Sequence, residues 1–335
     1  MLCGADALVL FWTKAVLAIR RMSMMPLSGS AKVALEGIRQ GICCVSILGL
    51  LFCATGPHLF AASSDDPPPR PGARELVQEV ARNEDNARRN PRNYYQYVQK
   101  EITPEGSKTT IQIETPQGEV GKVVSINNKP PSQSRCRADA NSLKRLATDP
   151  QTQRNREQDQ KEQSERVEKL MAAVPNAFIF KFHGKQQGSG WIEIEFYPNP
   201  RFQPNSREAY LLKGMRGTLW VDPASHRLTK IDGLLFKDVK FGWGFLATLQ
   251  RGGHFVMEQS KVSGGDWRQT YLQVDLDGSK LVFRHLQVHF KDISQSFVRL
   301  SEPPTLAQAV NMLEQSATAC SQGNNKGSTI QAQFP

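Results

Sequence analysis

Strict alternation of apolar and polar residues through the second half of this chain leaves few folds open to it. Phe178, Phe180 and Phe182 alternate with Ile179, Lys181 and His183. Ile192, Ile194 and Phe196 alternate with Trp191, Glu193, Glu195 and Tyr197, and the pattern returns at Leu272, Val274 and Leu276 and again at Leu286, Val288 and Phe290. Successive strand residues point to opposite faces, so each run has one apolar and one wet face. From Gly217 to Phe290 the runs follow one another closely, separated by Asp222-Pro223-Ala224-Ser225 and by Gly-Gly and Asp-Gly pairs. That spacing predicts an antiparallel meander, with Asp277-Gly278 as a two-residue hairpin turn.

The first half is organised differently. Ala73 to Arg89 reads as a helix with Leu76, Val80 and Ala87 along one side, and Asn90-Pro91 ends it. Residues 93–102, 110–114 and 119–126 read as three strands. Residues 132–173 are crowded with Arg, Lys, Glu and Gln, which predicts a charged helical insert broken near Asp149-Pro150. Its buried stripe would be Val167, Leu170, Met171 and Val174. Leu306 to Leu313 reads as a short amphipathic helix. The expected class is α+β, mainly antiparallel β, with a curved sheet of about ten strands. Residues 73–318 would form one domain, 64–72 a Pro-rich linker and 319–335 a disordered tail.

Upstream, Ile42 to Phe52 is a short apolar run with Lys32 and Arg39 before it and Ala61-Ala62-Ser63 after it. This is the layout of a secretory signal peptide over residues 1–63, with translation starting at Met1 or at Met22, Met24 or Met25. The other reading is an uncleaved anchor in the inner membrane. Four of the six cysteines lie in this leader, leaving Cys136 and Cys320 as a possible disulfide in an exported, periplasmic setting. Two cysteines without a CxxC spacing argue against a zinc site, and no metal or other cofactor is expected. The formal charge of +10 falls to +7 once the five basic and two acidic residues of 1–63 are removed. In an exported protein such a surplus suits solubility or an anionic membrane surface; nucleic acid is not an expected partner.

The strands supply many large apolar residues to one sheet face, whereas the helices supply few. Either the sheet packs on itself, or an apolar cavity lined by Phe178, Phe180, Phe182, Ile192, Ile194, Phe196, Leu272, Val274, Leu286 and Val288 awaits a ligand. The loop from Phe241 to Leu249 is too apolar for an idle surface. Trp243, Phe245, Leu246 and Leu249 are candidates for a lid over that cavity, or for a buried crossover at one end of the sheet. No P-loop, dinucleotide fingerprint, nucleophile elbow or HExxH occurs, and no catalytic residue is assigned, so an enzyme is not expected.

The predicted helix, the meander and the run GTLWVDPASHRLTKIDG together resemble the LolA-like superfamily of exported bacterial proteins. That superfamily includes periplasmic lipoprotein carriers and outer-membrane lipoprotein-sorting proteins. PNPRFQPNSREAYLLKGMRGTLWVDPASHRL and DVKFGWGFLATLQRGGHF are similar to stretches of uncharacterised exported proteins of Acidobacteria type, a resemblance covering roughly residues 73–300. It implies a half-open β-barrel with helices against its concave face and an apolar cavity for a lipid or lipidated partner. The chain departs from the carriers in its long charged insert, and no position here matches their cavity-closing arginine. A filled protein-interaction module of the cell envelope is the other functional reading.

Overall fold

The computed structural model describes residues 72–241, 247–280 and 284–316. The order of elements is helix α1 (Ala73–Arg89), strands β1 (Tyr95–Thr103), β2 (Gly106–Ile113) and β3 (Val120–Ile126), then helices α2 (Gln133–Thr148) and α3 (Pro150–Ala177). Strands β4 (Phe178–Lys185) and β5 (Ile192–Pro198) and the short helix α4 (Arg207–Leu211) lead into β6 (Met215–Val221), β7 (Leu228–Leu235), β8 (Val239–Phe241) and β9 (Ala247–Leu249). Strands β10 (His254–Lys261), β11 (Trp267–Lys280) and β12 (Arg284–Arg299) and helix α5 (Leu306–Ser316) complete the chain.

The break expected near Asp149-Pro150 has a clear local cause. Asp149 accepts the N–H groups of Gln151 at 3.0 Å and Thr152 at 3.2 Å, and Pro150 takes the first turn, where its missing donor costs nothing. Ser132 caps α2 in the same way through Arg135 N–H.

All strands pair antiparallel in one sheet, in the order β3-β2-β1-β12-β11-β10-β7-β6-β5-β4, with β8 on β9 and β9 on β11. The expected count of about ten becomes twelve because the two three-residue strands flank residues 242–246. β3 and β4 end the path without meeting, so the curved sheet stays open. The fold is α+β with a half-open sheet.

Asp277-Gly278 is not a turn, contrary to the expectation. Both residues lie inside β11, which runs on to Lys280, and Gly278 pairs with Leu286 on β12 and with Leu249 on β9. A Cβ on Gly278 would stand 2.3 Å from the Thr248 carbonyl oxygen, so glycine serves here to let β9 approach.

Two cores form, on opposite faces. The larger joins Leu76, Val77 and Val80 of α1 and Val167 and Leu170 of α3 to inward residues of β4 to β7, β10 and β11. The smaller joins Ile111, Ile113 and Val120 to Leu143 and Leu146 of α2 and to Leu306, Ala309, Val310 and Leu313 of α5. The register shows that they face apart. Ile293 pairs with both Tyr271 and Lys100, Val98 precedes Lys100 by two and pairs with Ile111, and Leu272, next to Tyr271, must therefore point the other way. No described helix is long and apolar enough to cross a membrane.

Candidate functional site

The inner face of the sheet, where α1 and α3 lie, is built from rows that cross it strand by strand. One row reads Phe180, Phe196, Gly217, Gly233, Phe255, Val274, Phe290. The next reads Phe182, Ile194, Leu219, Ile231, Met257, Leu272 and then turns charged at Asp292, Glu101 and Lys108. The inner face is thus apolar from β4 to β11 and along β12 from Leu286 to Phe290, and turns polar at Asp292 of β12 and on into β1 and β2.

All ten cavity candidates read from the alternation lie on this face, but in two groups. Phe178, Phe180, Phe182, Ile192, Ile194 and Phe196 sit on β4 and β5 at one edge; Leu272, Val274, Leu286 and Val288 sit on β11 and β12, with β6, β7 and β10 between. Ile194, Leu272 and Val274 are fully buried, and Phe178 and Phe196 meet edge-on with centroids 4.9 Å apart. Phe180, Ile192, Leu286, Val288 and Phe290 pack against the core while only partly buried, and Phe182 is 44 % exposed. Leu219, Ile231, Phe255 and Met257, which join the two groups, were not singled out from the sequence, because their runs alternate less regularly.

Helix α1 is fastened over this face by the turn of GTLWVDPASHRLTKIDG. Asp222 accepts the Ser225 N–H at 2.9 Å and closes the turn. Glu79 reaches His226 Nδ1 at 2.8 Å, and Asn83 donates to the His226 carbonyl at 3.1 Å. Buried Glu84 accepts Arg227 Nε at 2.7 Å and Nη2 at 2.9 Å, Leu228 N–H at 3.0 Å and Gln259 Nε2 at 3.1 Å. Arg88, also buried, donates to Ser164 Oγ of α3 at 2.7 Å. The buried stripe of α1 therefore runs Leu76, Val80, Glu84, Arg88; Ala87, expected on it, is only half-buried.

A second buried polar cluster pins the far end of the sheet. Arg268 donates to Glu114 at 3.2 Å, to the Asn93 carbonyl at 2.9 Å, and lies 4.7 Å from the Tyr95 ring centroid. Tyr95 N–H donates to Glu114 at 3.1 Å. Burial pushes the Glu114 carboxyl up to about 8, against the opposing pull of Arg268. Burial, with the hydrogen bond to Asp266, pushes the Tyr95 phenol up to about 12. An acid whose folded pKa is raised binds more protons folded than unfolded. Stability should therefore fall as pH rises from the ordinary carboxylate range through about 8, by up to about 1 kcal/mol per pH unit. Urea midpoints measured from pH 5 to 9 are expected to show this slope, and Glu114→Gln to flatten it.

On the outer face, His289 stands between Asp275 at 3.2 Å and Asp277 at 3.1 Å, and His254 contacts Asp232 at 2.8 Å. Burial opposes the charge on His289, but the hydrogen bonds to Asp275 and then Asp277 outweigh it and raise its pKa. Along its own strand this histidine shares a face only with residues such as Gln287 and Lys291; the two carboxylates come from β11, which strand spacing alone does not align with it. Among the described residues no cluster of His, Cys, Asp or Glu suits a metal ion.

Leu249 is a strand residue in the main core, 1 % exposed, and the preceding Phe241 is buried too. The other lid candidates, Trp243, Phe245 and Leu246, lie outside the described residues, as do the proposed signal peptide and Cys320. Cys136 is disulfide-bonded. Two open clefts are described. One, of about 390 Å³, lies between the end of α3 and residues 199–205; the other, of about 370 Å³, lies beside α5. Neither is lined by a cavity candidate.

Fold and site together define a class: an open antiparallel sheet with an apolar inner face partly covered by helices. No protein-family model matches the chain, and no curated protein matches it. Among solved structures it is similar to the crystal structure of a DUF1329 family protein from Desulfovibrio piger, at 10% sequence identity and a TM-score of 0.26, over 69% of this chain and 95% of that one.

Proposed function

We propose that this chain is a non-enzymatic exported envelope protein that binds a lipid or lipidated partner against the apolar inner face of its sheet. The observation that carries this reading is the uneven cover of that face. Helices α1 and α3 pack nearest β4, whereas Leu286, Val288 and Phe290 on β12 pack against the core yet stay partly buried. An acyl chain laid along them would remove further apolar area from water, worth about 25 cal/mol per Å². The resemblance of GTLWVDPASHRLTKIDG and its flanks to the LolA-like superfamily supports the same reading. The leader and the disulfide at Cys136 support an oxidising, periplasmic location.

Solvent extraction of protein purified from its native envelope, followed by mass spectrometry, is expected to release lipid. In parallel, an environment-sensitive naphthylamine probe should bind the wild type, and Val288→Asp should weaken it about tenfold or more while leaving the circular dichroism spectrum unchanged. A clean extract together with no probe binding would sink the proposal. The competing reading, an interaction module with a filled core, draws on the complete burial of Ile194, Leu272 and Val274. It predicts that outcome and a protein partner in cross-linking.

A further inference from the structure

The cleft between the end of α3 and residues 199–205 carries chemistry that the apolar face does not. Its lining is Lys169, Ala172, Ala173, Asn176, Asn199, Arg201, Phe202, Gln203 and Asn205: two cations, four amides and no carboxylate. Neither Lys169 nor Arg201 is paired with an acidic side chain among the described residues, although the chain has many surface ion pairs elsewhere. Arg74 donates to Asn176 Oδ1, which fixes the orientation of that amide and leaves its NH₂ uncommitted. Asn199 is spent on structure, donating to the Asn176 carbonyl and accepting the Arg201 N–H, each at 3.0 Å. Lys169, Arg201, Asn176, Gln203 and Asn205 therefore bring donors to one opening with nothing negative among them. Phe202 is buried and belongs to the main core, against which Ala173 also packs.

We infer that this cleft is an oxyanion seat, which takes a phosphate-bearing group. Unpaired guanidinium and ammonium groups beside free amide donors suit phosphate oxygens, each of which accepts several hydrogen bonds. A cleft that opens to water beside the buried ring of Phe202 suits the phosphate of an amphiphile. A free phosphate compound would satisfy the same donors. The inference rests on the lipid-binding reading for the tail alone; the anion chemistry stands separately.

The test uses the full mature chain and three probes: short-chain phosphatidic acid, diacylglycerol with the same tails, and inorganic phosphate. Phosphatidic acid is expected to bind more tightly than diacylglycerol, and the K169E/R201E variant to abolish the difference while leaving diacylglycerol binding unchanged. Each cation removed should cost about fivefold in Kd for the phosphate-bearing lipid, the measure of an exposed ion pair. The neutral K169Q/R201Q variant carries the same test if charge reversal disturbs folding. If inorganic phosphate alone binds as tightly and loses affinity in the variant, the seat stands and its ligand is a free phosphate compound. Equal binding of the two lipids by the wild type overturns the seat while leaving the apolar site intact. Should neither lipid bind, the lipid-binding reading fails, and the phosphate arm decides the seat: variant-sensitive binding supports it, and no binding overturns it.

Discussion

Arg227→Met is expected to destabilise the folded chain by about 3–5 kcal/mol, the cost of breaking a buried ion pair from one side. Glu84 is almost wholly buried and takes four hydrogen bonds, two of them from Arg227. With methionine at 227 the carboxylate would keep only the Leu228 N–H and Gln259 amide, two neutral donors, in a site closed to water. Urea unfolding monitored by circular dichroism checks the size of the loss. Pairing Glu84→Gln with Arg227→Met should recover part of it, because no buried charge is then left alone. Helix α1 should also become more open to limited proteolysis in the single variant, since Glu84 is its deepest polar anchor on the β6–β7 turn. A loss below about 1 kcal/mol would instead be the behaviour of an exposed pair, and would mean that α1 does not sit on the turn as described.

The second large effect is expected at Gly233. It pairs with Gly217 across β6 and β7, so the centre of the inner face has two adjacent positions without side chains. Phe255 fills that space: a Cβ at 233 would meet its ring carbons at 2.0 and 2.1 Å. Phe255 is 3 % exposed and cannot swing out without opening the core. Gly233→Val is therefore expected to cost about 3 kcal/mol through overpacking. Phe255→Ala alone should cost about as much by leaving a cavity. The double variant should lose clearly less than the sum, because the valine enters the space that the ring has left. Additive losses would show that the ring does not lie over Gly233.

How much of this was legible in the residues depends on what each signal measures. Alternation at Phe178–Phe182, Ile192–Phe196 and Leu272–Leu276 reports which side chains share a face, and all ten cavity candidates do lie on one face. Alternation is blind to strand order, so it could not tell that β4–β5 and β11–β12 stand three strands apart, nor that the row through Leu272 ends in Asp292, Glu101 and Lys108. Asp277-Gly278 misled because a glycine needed for the close approach of β9 carries the same letter as one needed for a turn. The burial of Glu84 and Arg88 is illegible in the sequence for another reason. Charged residues on a helix read as its wet side, and only partners brought from distant strands and from α3 make their burial tolerable.

By itself the sequence determined the local elements: helix α1, the capped break at Asp149-Pro150, the one-sided strands and the turn at Asp222. These follow from side-chain geometry and hydrogen bonding within a few residues, which a linear chain carries with it. Only the tertiary structure decided that β12 returns to pair with β1, that helices lie on both faces of the sheet, and that the turn of GTLWVDPASHRLTKIDG holds α1 in place. The same is true of the carboxylate-free cleft at Lys169 and Arg201. Those features rest on contacts between residues far apart in the chain, and spacing along a sequence carries no measure of such distances until the sheet has closed them.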